Sequence, residues 1–488
     1  METRDQRPDL MRTATSEDTA EQPLRGRKAS GPRAPGGVGT VPKQFRSPSS
    51  GAKSRNLRIQ YASLASLKPD PANPRLHGKK QVEQIARSIQ TFGFNVPILV
   101  DRTRCVIAGH GRLAAAKLLK LDRVPIIRIE HLCDAQMRAF MIADNRLTHI
   151  SEWDDRLLAQ QLKALAEVEL EFNLEVTGFE MAEIDTMIEG LAPATEGEAD
   201  PADVQADSGV PVTKPGDLWV LGRHRLLCGD ALNEDSYSKL MEGRRAAAVF
   251  TDPPYNNPID GYVAGFGKIH HPEFAMASGE MNDAAFTEFL FKAFRNLARN
   301  SASGSLHFVC LDWRHLPELL AASSRVYAEF KNLCIWVKES GGQGSLYQSR
   351  HELVFVFKNG KARHRNNIQL GQLGRYRSNV WEYPRVDSLD GEERLSGLHS
   401  TIKPAAMVAD AILDCTSRND IVLDPFLGSG TTVIAAERTG RICYGMEPAP
   451  SYVDTSVRRW QTFTMKTAVH EKSGRTFAEL EHEATHEG

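Results

Sequence analysis

The feature that most constrains this chain is an apolar run that stops on two prolines. Ala246-Ala247-Ala248-Val249-Phe250 leads directly into Thr251-Asp252-Pro253-Pro254-Tyr255-Asn256. A short continuous apolar run bounded by a turn signal reads as a buried strand. The two prolines fix φ and remove two amide donors, so the Pro253 carbonyl has no helix or ladder to join. In open α/β sheets, ligands bind where parallel strands end. Asp252, Pro253, Pro254 and Tyr255 therefore form a candidate catalytic site. A carboxylate and a free carbonyl can accept from one NH2 group while the ring stacks on the flat system that carries it. Two acceptors draw such an amine towards tetrahedral geometry and localise its lone pair, and placement against a methyl group held in line supplies much of the rate. Taken alone, the six residues fit a structural strand-ending turn equally well.

A second motif shifts that balance. From Pro215 onward, strand patterns (218–221, 246–250, 305–310, 333–337, 353–357, 421–424 and 442–446) alternate with helical ones. This implies an α/β, Rossmann-like, mostly parallel sheet. Ile421-Val422-Leu423 is followed by Asp424-Pro425-Phe426-Leu427-Gly428-Ser429-Gly430-Thr431-Thr432, which opens a helix over 433–438. Gly428 and Gly430 let a ligand approach the backbone. About 20 residues on, another strand ends at Glu447, placed to hold a ribose diol. The spacing falls short of G-x-G-x-x-G, and no Lys follows as in a P-loop. Asp424 suits an ammonium better than a phosphate.

With both motifs in view, residues 214–465 resemble an amino-group DNA methyltransferase of the N6-adenine/N4-cytosine type, in the permuted motif order of the β class. The resemblance implies S-adenosylmethionine (SAM) as cofactor and double-stranded DNA as partner. It makes Asp252, Pro253 and Tyr255 the amine acceptors and stacking ring. Asp424, Phe426, Gly428, Gly430 and Thr431 would line the methionine side of SAM, Glu447 would take the ribose, and Asp230 of Cys228-Gly229-Asp230 would meet the adenine. His399-Ser400-Thr401-Ile402-Lys403-Pro404 matches the family's His-Pro-Thr-x-Lys-Pro with Ser400 in place of Pro, and Lys403 could bind the SAM carboxylate. Ala449 stands where the family has an Asp after Glu447. An Asp at 252 leans towards adenine N6 over cytosine N4 and away from protein glutamine. Base flipping is expected, because a duplex hides the amine. Residues 257–281, with four glycines, could form a lid. The basic and aromatic stretch 340–398 is the candidate recognition region, with Arg363, Arg365, Arg375 and Arg377 as candidate DNA contacts, or else a solvated basic face.

The N-terminal half reads differently. Residues 1–56 are rich in Pro, Gly, Ser and Arg and read as a disordered basic tail. Residues 57–130 alternate a helix (82–92), strands (97–100, 105–108, 124–127) and a helix opened by Gly109-His110-Gly111-Arg112. Glycines at a helix start beside Arg112 make an anion site, or else Arg112 is a surface residue at a helix start. This stretch resembles the ParB N-terminal (ParB/sulfiredoxin-like) domain. Gly109 and Arg112 match the family's Gly-Glu-Arg-Arg, while His110 and Gly111 depart from it, which keeps phosphate or DNA-backbone binding and puts nucleotide hydrolysis in doubt. Residues 131–190 read as a helical extension, with a weak helix-turn-helix signal at Gly178. Residues 191–213 are an acidic linker and 466–488 a C-terminal tail. The competing reading is a ParB-like DNA-binding protein with a vestigial methyltransferase half.

Charge adds little: the net charge is −2, so DNA binding must come from local patches. Seven scattered cysteines without a C-x-x-C pair fit reduced thiols and no metal site. No run of 18 apolar residues is present, so a cytoplasmic, membrane-free protein is expected. A homodimer and a restriction endonuclease are the other candidate partners.

Overall fold

The computed structural model describes residues 57–151, 153–168, 170–191, 211–256, 279–342, 346–368, 375–383 and 402–487. The basic tail, nearly all of the acidic linker, the glycine-rich 257–278 segment, residues 384–398 and His399-Ser400-Thr401 lie outside these.

The first part is a four-stranded sheet of β1 (Ile59–Ser63), β2 (Ile98–Val100), β3 (Val106–Ala108) and β4 (Arg123–Arg128), in the order β1-β4-β2-β3. Helices α1 (Lys79–Phe92) and α2 (His110–Leu118) accompany it. Ile98, Val100, Val106, Leu113, Val124 and Ile126 close its core. Three helices follow: α3 (Asp134–His149), α4 (Asp155–Glu167) and α5 (Met181–Glu189). Leu162, Leu174, Met181 and Ile184 join α4 and α5, which lie across a turn ending at Gly178 with φ +101°.

The second part is built on a ten-stranded sheet. Its strands are β5 (Leu218–Leu221), β6 (His224–Cys228), β7 (Ala246–Thr251), β8 (Ser301–Leu311), β9 (Glu329–Gly342), β10 (Ser349–Lys358), β11 (Val380–Glu382), β12 (Ile421–Asp424), β13 (Ile442–Glu447) and β14 (Val469–His470). The order is β11-β9-β10-β8-β7-β12-β13-β6-β5-β14. The five central strands β8, β7, β12, β13 and β6 run parallel, and antiparallel pairs flank them. Helices α6 (Glu234–Met241), α7 (Asp283–Arg299) and α8 (Leu316–Ser324) belong to one apolar cluster. Helices α9 (Ala405–Leu413), α10 (Thr431–Thr439) and α11 (Pro450–Thr464) supply the others. Helix α7 shows why the sequence folds this way. Asn282 caps its first turn by accepting from the Ala285 amide, and Phe286, Phe289, Leu290, Ala293, Phe294 and Leu297 recur at helical spacing on its buried face.

The expected C-terminal tail is instead folded. β14 pairs with β5, α12 (Phe477–Glu487) follows, and Phe477 is fully buried edge-on against Trp219. Its polar composition hid a single aromatic anchor.

Candidate active site

The two sequence motifs meet at one end of the sheet. β7 and β12 are parallel neighbours, with Ala248 beside Val422 and Val249 beside Leu423. Asp252 therefore emerges next to Asp424, and the motifs are joined directly: Thr251 Oγ1 donates to Asp424 Oδ1 at 3.0 Å. On either side of β7, β8 and β12 lead into different faces of the sheet. The site thus lies at a point where the strand order reverses, the place where such sheets leave a crevice.

Asp252 is gripped on both oxygens. The Tyr255 hydroxyl donates to Oδ1 at 2.6 Å, and Lys403 Nζ donates to Oδ2 at 2.6 Å. Lys403 also lies 3.1 Å from Glu352 Oε2, and Lys338 of β9 closes on the other Glu352 oxygen. Burial opposes the charge on Lys403, but Asp252 and Glu352 outweigh it and push its pKa up. Burial alone would raise Glu352, yet Lys403 and Lys338 pull it down to about 2. Burial raises the Asp252 pKa against the pull of Lys403. Asp252 is the carboxyl group of this cluster that still reaches the surface, with a quarter of its side chain exposed. Pro253 is buried and Asn256 adopts a left-handed φ of +54°. Asn256 Oδ1 accepts from the Gly279 and Met281 amides, and its Nδ2 donates to the Met281 carbonyl. This anchors the chain on both sides of 257–278.

Glu352 and Lys338 were not singled out from the sequence. The available signal was a carboxylate at the mouth of the buried strand 353–357, a place where an acid needs a partner. Lys403 was expected on the cofactor. The structure places it on Asp252, Glu352 and, at 3.2 Å, the Tyr255 hydroxyl.

The glycine motif lies alongside. Asp424 is 4% exposed and accepts from Thr432 Oγ1 at 2.6 Å and from the Phe426 amide at 3.2 Å. Phe426 packs 6.0 Å from Phe289. At the end of β13, Glu447 accepts from the Gly428 amide and the Ala449 amide, both at 3.0 Å. The Gly229 amide bonds the Glu447 carbonyl, which brings Asp230 to the same edge. Asp230 Oδ1 caps the next turn through the Leu232 amide at 2.8 Å. Gly430 has φ +92°, and a Cβ there would meet Ser456 at 2.8 Å; Gly428 has φ +57° with open space beyond it. Thr431 opens α10, and Arg459 holds the outer side of the loop through the Ser429 carbonyl at 2.7 Å. Burial pushes Asp424 and Glu447 each up to about 7 against their own hydrogen bonds. Buried acids displaced this far upward favour a cation. An ammonium, a sulfonium and a ribose diol, with a backbone left bare at Gly428, match this donor set, so the residues fit SAM.

The expected DNA-contact arginines are placed elsewhere. Arg375 is buried, 2.9 Å from Asp410 and 3.2 Å from both Asp414 and Glu189. Arg377 is held by Asp410 at 3.1 Å, by Asp414 at 3.2 Å and by the Tyr383 hydroxyl. Their charges are neutralised inside the protein, which corrects their assignment as DNA contacts. Arg363 and Arg365 are exposed, but at the wrong end. The Arg363 carbonyl lies against Gly304 at the start of β8, whereas the site lies where β8 finishes, and Arg365 is 3.7 Å from Glu175. Arg112 is half-buried at the N-terminus of α2, folded over Gly109. Burial lowers its pKa, with Asp144 opposing.

Residues 246–458 match the DNA methylase family of the N6/N4 type, 49–146 match the ParB N-terminal domain, and 156–215 match the ParB-methyltransferase HTH domain. The chain thus carries a DNA methylase domain of the N6/N4 type behind a ParB N-terminal domain and a ParB-methyltransferase HTH domain. The helical stretch after 131, favoured from the sequence as a plain extension, thus includes the weakly signalled helix-turn-helix. Two of the similar proteins are from Escherichia coli (strain K12). The ParB-like nuclease domain-containing protein YnaK is 45% identical over 83 residues, 17% of this chain and 95% of its own. The DNA adenine methyltransferase YhdJ is 26% identical over 261 residues, 48% of this chain and 81% of its own. Among solved structures, the M1.HpyAVI–SAM complex superposes with TM-score 0.35 and 21% identity, over 48% of this chain and 97% of its own. The methylase fold is Rossmann-like, and the family's cofactor is SAM. Among the described residues, no cluster of His, Cys, Asp or Glu could hold a metal ion, and no helix is long and apolar enough to cross a membrane.

Proposed function

We propose that the chain methylates adenine N6 in a short sequence of duplex DNA, with the target base flipped out of the stack. The observation that carries this is the Asp252 carboxylate. It emerges beside the cofactor motif through the Thr251–Asp424 bond, and a quarter of its side chain remains exposed. Asp252 and the Pro253 carbonyl accept the two amine protons, and Tyr255 stacks on the base. Lys403, fixed by Glu352, pulls against the rise that burial gives the Asp252 pKa. SAM, when bound beside Phe426 and Gly428, supplies a methyl group on a positive sulfur. The amine lone pair forms the new C–N bond as the C–S bond breaks, and one amine proton leaves towards Asp252 or water. Similarity to a relative named as a DNA adenine methyltransferase supports adenine over cytosine.

The test is transfer from tritiated SAM to unmodified genomic DNA, followed by nucleoside mass spectrometry. N6-methyldeoxyadenosine is expected. N4-methyldeoxycytidine alone would overturn the choice of base, and no transfer would overturn the enzyme reading.

A further inference from the structure

With Arg375 and Arg377 neutralised and Arg363 and Arg365 at the far end of the sheet, the duplex must be met by something else. Among the described residues, the β9–β10 hairpin reaches beyond the end of the sheet that carries Asp252. β8 finishes at Leu311, opposite Leu353 of β10. Past that point β9 and β10 continue without β8, pairing Glu352 with Trp336, His351 with Val337 and Ser349 with Gly342. The four residues Ser349 to Glu352 project roughly 13 Å beyond the parallel strands. The register slips between Ser349 and His351, an irregularity of the kind that bends a strand and re-aims its side chains beside active sites.

The root of this projection is in the site: Glu352 holds Lys403, which holds Asp252. Its outer part is open to water. Leu346 and Tyr347 are each 82% exposed, next to exposed Gln348, Arg350 and His351. No acidic residue interrupts the stretch from Leu346 to His351. Arg350 is steadied by two hydrogen bonds from its guanidinium to the Lys338 carbonyl, at 3.3 and 3.2 Å. An apolar pair held out in water, followed by side chains that can donate to base edges and phosphates, is complementary to a duplex that is being opened.

We propose that this strip is the duplex-facing element. Leu346 and Tyr347 enter the stack where the target base leaves, while Gln348 and Arg350 meet base edges and backbone. The inference rests on the DNA-methylation reading above. Once sequencing of methylated DNA gives the target, a duplex with 2-aminopurine at the target position reports flipping, and tritiated SAM with the adenine-containing duplex reports transfer. For Leu346→Ala/Tyr347→Ala, transfer to the paired duplex is expected to fall at least about tenfold, with loss of most of the fluorescence rise. Transfer to the same duplex carrying a mismatch at the target should stay within about threefold, because an unpaired base needs less help to leave. Tyr347→Phe, which keeps the ring, should resemble the wild type. Melting temperature and calorimetric SAM binding verify that the variant is folded. Equal losses on paired and mismatched DNA, or no loss on either, overturn the wedge. If the wild-type chain transfers no methyl group, both readings fall. If it does and the double variant matches it, only the wedge falls.

Discussion

Two buried ionic clusters stand at opposite ends of the methylase sheet, and they differ in one respect that decides what each can do. At the end where β7 finishes, Lys338, Glu352, Lys403 and Asp252 alternate in charge and finish on a carboxylate that still reaches the surface. At the other end, Arg441 is completely buried with its guanidinium 2.7 Å from Asp185 of α5, and Arg418 lies 3.0 Å from the second Asp185 oxygen. Arg375 adds Glu189, one turn further along α5. Every charge there has an internal partner across the junction between the helix-turn-helix and the methylase. One cluster is a site with an open valence; the other is a clasp. Charge content alone does not separate them, but exposure of the last carboxylate does.

The largest effects should fall on opposite measurements. Asp252→Ala is expected to lower methyl transfer by about a thousandfold or more, as loss of a group acting mainly in the transition state does, with the melting temperature little changed. Arg441→Ala leaves Asp185 buried without its closest partner and should cost about 3–5 kcal/mol of stability in denaturant unfolding. Its transfer rate per folded molecule should be retained. If Arg441→Ala abolished transfer in fully folded protein, the two ends would be coupled and the contrast drawn here would fail.

The same contrast explains which parts were legible in the sequence. β7 and β12 announce themselves because a buried parallel strand needs an unbroken apolar run, and proline or glycine must end it where a ligand approaches. The structure sets the two strands side by side, with Thr251 bonded to Asp424 and Glu447 at the end of β13. Arg375 and Arg377 were misread because their neutralising partners, Asp410 and Asp414, lie some 35 residues later in the chain. A basic stretch looks identical in sequence whether its counter-charges are phosphates or carboxylates. Glu352 was invisible for a related reason. Its significance comes from the register that sets β10 beside β9, and from a helix start that carries Lys403 across the sheet. Strand β6 (His224–Cys228) passed unnoticed because His and Arg interrupt its pattern. His224 is buried by accepting from the Cys443 amide on one nitrogen and bonding Glu437 on the other.

A subtler probe of the catalytic cluster is Glu352→Gln. Glu352 is one of two carboxylates that raise the Lys403 pKa, so its removal lowers that pKa and weakens the hold on Asp252. Transfer should fall by about tenfold to a hundredfold. The alkaline limb of the pH–rate profile should move to lower pH, a shift that simple loss of packing would not give. An unchanged limb would mean that Lys403 does not titrate in the rate.

The cofactor side should respond to pH in the opposite sense. Asp424 and Glu447 lie at about 7, so both are largely protonated at pH 6 and ionised at pH 8. Only the ionised forms attract the positive charges of SAM. Affinity measured by calorimetry should therefore rise between pH 6 and pH 8, by roughly tenfold if one of the two carboxyls dominates. Asp424→Asn should flatten the rise.

The smallest expected effect tests the misread surface most directly. Arg363 is exposed and basic, yet it sits beside Gly304, where β8 begins. A residue that neutralises a phosphate contributes about one unit to the slope of log affinity against log salt. For Arg363→Ala, the slope for duplex DNA should stay within a few tenths of the wild-type value, whereas Arg350→Ala should lower it by about one. Exchange of these two outcomes would place the duplex at the clasp end. Base entry would then have to cross the whole depth of the sheet to reach Asp252, which the packed strands between the two ends do not allow.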